Sequence, residues 1–251
     1  MMQPIIDSHT HYGGWFFPIR MTNVEDFKRL MKLFNVEAAV ASSSKAIVYD
    51  LAEGNRELSQ VLDPSEGLYG YVTVNPNYLE LSKIEIQNYL ERSEFKGIKF
   101  HTSYTGVPLG SEKFVRLVEY AEPYEKPFLL HTYSQADVID IRALAGRFTG
   151  LRFIMGHMGG TDASMTGANW KLAISVASEL SNVYLETCMT KLEAGKIEEA
   201  IDRAGAHRIL YGSDMTLINP AHIIGMIESA EIGEGDKAKI LYWNAKELFS
   251  L

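Results

Sequence analysis

Short apolar runs rich in β-branched and aromatic residues alternate along the chain with longer stretches of helical period. The runs fall at 5–11, 38–42, 68–75, 97–101, 127–132, 152–157, 183–187 and 209–214; Pro76 stops the third, and Gly159 and Gly160 stop the sixth. Between them, 24–34 sets Phe27, Leu30, Met31 and Phe34 on one face, 113–124 does so with Phe114, Leu117, Val118 and Ala121, and 137–148 with Val138, Ile141, Leu144 and Ala145. Such spacing is the apolar stripe of an amphipathic helix. A last helix is predicted at 237–249. Strands that alternate with helices predict a parallel sheet, because parallel neighbours need a crossover. Eight units in 251 residues predict a (β/α)8 TIM barrel, one domain over 1–251. An open doubly wound sheet is the alternative.

The polar positions break this pattern in one place. Of seven histidines, His9, His11, His101, His131 and His157 lie at the C-terminal ends of predicted strands, the end of a barrel that carries its chemistry. His207 precedes the eighth strand, at the opposite end, and His222 follows it. Strand alternation projects His9 and His11 together, with Asp7 below them. It turns Lys99 and His101 inward and Ile98 and Phe100 toward the helices, and puts Asp214 on the face of Gly212. Inward polar groups at a barrel mouth need a partner, since unpaired buried charge is costly; a divalent cation suffices. A lone His-x-His is a weak sign. With histidines on the fifth and sixth strands and an aspartate on the eighth it becomes a strong one.

Composition narrows the classes further. Apolar residues make up 46% and charged residues 22%, the balance of a soluble globular protein, and the net charge is -8. An acidic chain argues against non-specific nucleic-acid binding and against an anionic membrane surface. A small-molecule substrate is the expected partner, and a homodimer is the default assembly. Cys188 is the single cysteine, so no internal disulfide forms. The first residues lack the pattern of a signal peptide, and no apolar run reaches the roughly 18–20 residues of a membrane span. A cytoplasmic location is expected.

The motifs at these positions resemble those of the amidohydrolase superfamily, in the amidohydrolase-related branch. That branch holds small metal-dependent hydrolases and the aminocarboxymuconate-semialdehyde and resorcylate-type decarboxylases. The matching segments are Ile6-Asp7-Ser8-His9-Thr10-His11, Gly97-Ile98-Lys99-Phe100-His101, Leu130-His131-Thr132, Gly156-His157-Met158-Gly159-Gly160, Asn182-Val183-Tyr184-Leu185-Glu186-Thr187, Ile209-Leu210-Tyr211-Gly212-Ser213-Asp214 and Asn244-Ala245-Lys246-Glu247-Leu248-Phe249. They span essentially the whole chain. The resemblance implies His9, His11, His131 and Asp214 as metal ligands and places His157 beside the metal-bound water.

Three imidazoles and a carboxylate suit Zn²⁺, with Mn²⁺, Fe²⁺ or Co²⁺ as alternatives. One ion is favoured over two. The two-ion case needs Lys99 carboxylated as a bridge, whereas an unmodified Lys99 would pair with Glu186 or a substrate carboxylate. Asp214 is expected to move the proton of an activated water, and His157 to donate to a developing oxyanion. His101 and Glu186 are candidate substrate contacts, and Tyr12, Trp15, Phe16 and Phe17 a candidate apolar wall. Cys188, Met155 and Met158 read as packing. The first expectation is hydrolysis of an amide, ester or lactone of a small carbonyl compound. The alternatives are non-oxidative decarboxylation of an aromatic or unsaturated acid, and an inactive barrel serving as a binding module.

Overall fold

A computed structural model of the chain describes residues 3–20, 22–160, 169–188 and 194–251. Strands β1 (Ile5–Tyr12), β2 (Val36–Ser43), β3 (Leu68–Thr73), β4 (Phe95–His101), β5 (Phe128–His131), β6 (Phe153–Met155), β7 (Val183–Glu186) and β8 (Ile209–Leu210) pair in parallel and in chain order. The sheet closes on itself. Ser8 N–H donates to Tyr211 O at 3.0 Å, Asp214 N–H donates to His9 O at 2.9 Å, and Thr10 bridges Met215. An open doubly wound sheet would leave β1 and β8 apart, so that alternative is excluded.

Two apolar clusters follow from the pleat. Ile6, Val40, Tyr71, Leu129, Ile154 and Leu210 fill the barrel interior, and Tyr242 and Phe249 close its floor. The other face of each strand packs on the helices, as Phe100 does on Phe114, with Phe128 of β5 stacked on Phe153 of β6 beneath them. The striped segments form Val24–Leu33, Glu112–Ala121 and Gln135–Arg147. Capping sets their starts. Asn23 Oδ1 accepts from Asp26 N–H at 2.8 Å, and Ser134 and Asp137 form a capping box that begins the third helix two residues before the stripe does. Helices Leu51–Val61, Leu79–Tyr89, Asn169–Glu179, Lys196–Ala204 and Ala221–Ser229 fill other crossovers. The terminal helix is not one rod. Glu234–Ala238 and Asn244–Phe249 flank a π-helical turn, Lys239–Trp243, whose Ile240 carbonyl accepts from Tyr211 N–H at 3.0 Å. Among the described residues no helix is long and apolar enough to cross a membrane.

Three local departures from the predicted strands shape the mouth. Between Asp7 and Thr10, β1 advances three residues while β2 advances two, from Ala39 to Ala41. This one-residue bulge reverses the alternation. Ile6 is therefore interior and Asp7 shares its row with the outward Ala39, so Asp7 does not lie below His9 as strict alternation predicts. β6 ends at Met155, and His157 lies beyond it in a 3-10 turn at φ 59°. β8 ends at Leu210, so Asp214 stands in the following loop at φ 62°.

Candidate metal centre

Beyond the bulge, β1 sends His9 and His11 into the mouth, and the loop after β8 brings Asp214 against them. Asp214 Oδ1 lies 2.9 Å from His11 Nε2 and 3.5 Å from His9 Nε2. These three donors lie within 4.8 Å of one another. β4 adds Lys99, whose Nζ donates to His9 Nε2 at 2.8 Å. β7 adds Glu186, fully buried, whose Oε2 accepts from His9 Nδ1 at 2.8 Å and from His157 N–H at 3.1 Å. Its Oε1 accepts from Cys188 N–H at 2.5 Å. Gly212 makes room for this carboxylate, because a Cβ there would collide with Glu186 Oε1. Asp7 serves the backbone instead: it accepts from Ser213 Oγ at 2.5 Å, Ser213 N–H at 3.0 Å and His9 N–H at 3.2 Å.

The hydrogen bonds fix tautomers. His9 donates from Nδ1 to Glu186, which leaves the Nε2 lone pair facing Asp214 and Lys99. His157 donates from Nδ1 to the Cys188 carbonyl at 3.2 Å, so its Nε2 accepts from His131 Nδ1 at 3.0 Å. His131 is thereby left with its lone pair on Nε2.

Electrostatics keep these groups in ligand form. Burial, with the Lys99 ammonium, holds His9 well below the ordinary imidazole range, and burial lowers His11 too. Burial takes His157 down to about 4. Burial alone would raise Asp214, but His11, His9 and His157 outweigh it and hold the carboxyl well below its usual range. Burial lowers Lys99 to about 8, partly offset by Asp214 and Glu186. Burial pushes Glu186 up to about 7 against His157 and two backbone N–H groups.

A divalent cation fits this donor set. Asp214 Oδ1 is buried, and the Nε2 atoms of His11 and His9 face this ionised carboxylate at 2.9 and 3.5 Å. Groups so placed need a shared positive charge. His9, His11 and Asp214 would hold the ion. His131 stands outside their close cluster among the described residues, with its Nδ1 committed to His157.

Other expected site residues separate. Glu186 pairs with His9 rather than Lys99, because Lys99 itself reaches His9. His157 has no free N–H for an oxyanion, since Nδ1 serves a carbonyl and Nε2 accepts; it orients His131 instead. Tyr12 is paired with Ser43, on the face opposite His11, and packs on the outer core, so it leaves the site. His101 and Trp15 stay. His101 stacks on His131 with ring centres 3.7 Å apart, and Trp15 meets His11 edge-on at 5.2 Å. Tyr104, in the short turn Thr102–Thr105, joins them at 4.4 Å from His101 and 5.7 Å from Trp15. No stripe or motif marks Tyr104 in the sequence; its place follows from where β4 ends.

The chain is a closed parallel (β/α)8 barrel whose mouth gathers imidazoles around a carboxylate, a donor set that fits a metal ion. The chain belongs to the amidohydrolase family, whose sequence profile matches residues 6–251. No curated protein sequence gives a significant match. Among solved structures, 2,6-dihydroxybenzoate decarboxylase from Rhizobium superimposes with TM-score 0.79 at 17% identity, over 99% of each chain. The 5-carboxyvanillate decarboxylase from Sphingomonas paucimobilis gives 0.80 at 13% identity over 100% of each. A dihydroxybenzoic acid decarboxylase from Polaromonas sp. JS666, solved with manganese and the inhibitor 2-nitroresorcinol, gives 0.75 at 20% identity, covering 100% of this chain and 98% of that one. At these identities the likeness is one of fold.

Proposed function

We propose that the protein is a divalent-metal-dependent, non-oxidative decarboxylase of a hydroxylated aromatic acid. The observation that carries this reading is the arc of rings beside the metal donors: His131 on His101, His101 on Tyr104, Tyr104 on Trp15, and Trp15 on His11. Flat π surfaces at contact distance suit a flat substrate. The fold is shared with decarboxylases of 2,6-dihydroxybenzoate and 5-carboxyvanillate, and one such structure holds manganese. Manganese or zinc is therefore the ion to load first. This reading displaces the hydrolase expectation to second place.

When bound, the ion supplies a Lewis acid that polarises a substrate oxygen. The chain supplies the rest. The ring lies against the arc, with water displaced from the apolar faces. The C–C bond to the carboxylate breaks, carbon dioxide leaves, and the electron pair stays on the ring carbon until a proton arrives. Asp214, ionised, is the group placed to take the proton of the substrate's ring hydroxyl and pass it to that carbon, which leaves the ring oxygen as the anion: its Oδ1 faces the mouth's histidines. Glu186 holds His9 through Nδ1 and so leaves Nε2, which Lys99 reaches at 2.8 Å, as the nitrogen that would serve the ion.

Asp214→Asn is expected to cost at least about 10²-fold in rate, the scale of general acid–base catalysis. The test loads the protein with manganese or zinc and offers 2,6-dihydroxybenzoate and 5-carboxyvanillate. Carbon dioxide release that disappears in Asp214→Asn and His11→Ala supports the reading. Acid release from an amide, ester or lactone panel, with no carbon dioxide from the aromatic acids, would establish hydrolysis instead.

A further inference from the structure

Trp15 is 9% exposed, and its indole N–H has no hydrogen-bond partner among the described residues. An indole N–H donates and cannot accept. A buried donor left unpaired lowers stability, so such a group persists where a ligand or a water supplies the acceptor. Its surroundings are aromatic. Phe17 lies 5.9 Å away, Phe16 6.3 Å and Tyr104 5.7 Å, ring centre to ring centre, and His11 meets it edge-on at 5.2 Å. The N–H is thus a polar point in an apolar wall, one ring away from the metal donors.

We propose that the Trp15 indole N–H is the hydrogen-bond donor that holds the substrate's carboxylate at the mouth, while Tyr104 forms the wall against which the ring lies. The assignment rests on the decarboxylase reading. A carboxylate only accepts, and an indole only donates, so the two are complementary without a rotor or tautomer to adjust. A neutral donor also orients the carboxylate without pinning its charge. A cation at that place would stabilise the anion that must leave as neutral carbon dioxide, and so would oppose the reaction. The rings of Tyr104 and Phe16, edge-on at 5.8 Å, are themselves exposed at the outer side of the arc.

The test uses the manganese-loaded full-length chain and two probes of the same ring, 2,6-dihydroxybenzoate and resorcinol, titrated by calorimetry. Trp15→Phe removes the N–H and shortens the wall. Trp15→(3-benzothienyl)alanine removes the N–H and keeps the shape. Both variants should bind the acid about tenfold or more weaker. Resorcinol affinity and the melting temperature should not change in the benzothienyl variant. Equal losses for acid and resorcinol, or undiminished acid binding, would overturn the assignment and leave Trp15 as a wall. A benzothienyl variant that melts several degrees lower would also overturn it, because the N–H would then have a partner within the protein. If the native chain binds neither probe, the decarboxylase reading falls and this assignment with it. Acid binding by the native chain that both variants retain removes the assignment alone.

Discussion

Glu186 and Lys99 show how much of this site is decided by single hydrogen bonds. Glu186 accepts from His9 Nδ1 and so directs the lone pair of Nε2 toward Asp214. Partners of this kind set ligand orientation, and their loss costs tenfold to a hundredfold in metal affinity. Glu186→Gln is expected to weaken manganese or zinc binding by about that factor, read by competition with a chromophoric chelator. Unchanged affinity would remove His9 from the ligand set. Lys99 works the other way. Its ammonium occupies the His9 lone pair at 2.8 Å and repels a cation at the same place. Lys99→Met should therefore tighten a single ion by roughly tenfold or more. A native chain that binds two ions, with one lost in Lys99→Met, would instead make Lys99 a carboxylated bridge. His9, His11 and Asp214 were legible in the sequence as a group, because a His-x-His on the first strand, histidines on later ones and an aspartate after the eighth match the family motifs together. The pairing of Glu186 with His9, the spent N–H groups of His157 and the unpaired N–H of Trp15 were not, since each depends on a partner from another strand or loop.

At the level of the element, the third strand is held by a side chain from a helix. Asn55, on Leu51–Val61, donates to Thr73 O at 2.9 Å and to Glu85 at 3.0 Å, and its Oδ1 accepts from Thr73 N–H at 3.0 Å. Asn55→Ala strips both backbone groups of Thr73 of this partner inside the fold and is expected to cost about 2–4 kcal/mol of stability. Urea unfolding measures it, and a loss below about 1 kcal/mol would mean that water replaces the amide. The strands were easy to place because both faces of a closed parallel sheet are buried, giving continuous apolar runs. Their ends were harder. The runs at 152–157 and 209–214 extend past the point where pairing stops, since β6 gives way to a left-handed turn and β8 to the loop that aims Asp214. Several helices were not singled out by their stripes. Leu79–Tyr89, for one, exposes Leu81 and Ile84, which blurs its apolar face.

For the molecule as a whole, an ion held by His9, His11 and Asp214 ties strand β1 to the loop after β8, the two ends of the sheet. Binding to the folded state alone stabilises by RT ln(1 + [L]/Kd), about 2.7 kcal/mol at a hundredfold excess over Kd. Manganese or zinc should raise the melting temperature by several degrees, chelator should reverse this, and His11→Ala should abolish the response; a metal-independent melting temperature in the native chain would count against the centre. The sequence by itself determined the number and order of the strands, the helical stripes, and the family motifs that put histidines at one end of the barrel. Those features are local: they rest on the period of apolar residues and on residue types at fixed spacing. Only the tertiary structure decided that β1 bulges between Asp7 and Thr10, that Tyr12 turns away from the mouth while Tyr104 enters it, and that Glu186 serves His9. These are properties of pairs of strands and of the loops between them, and the register of a pair is written in neither strand alone.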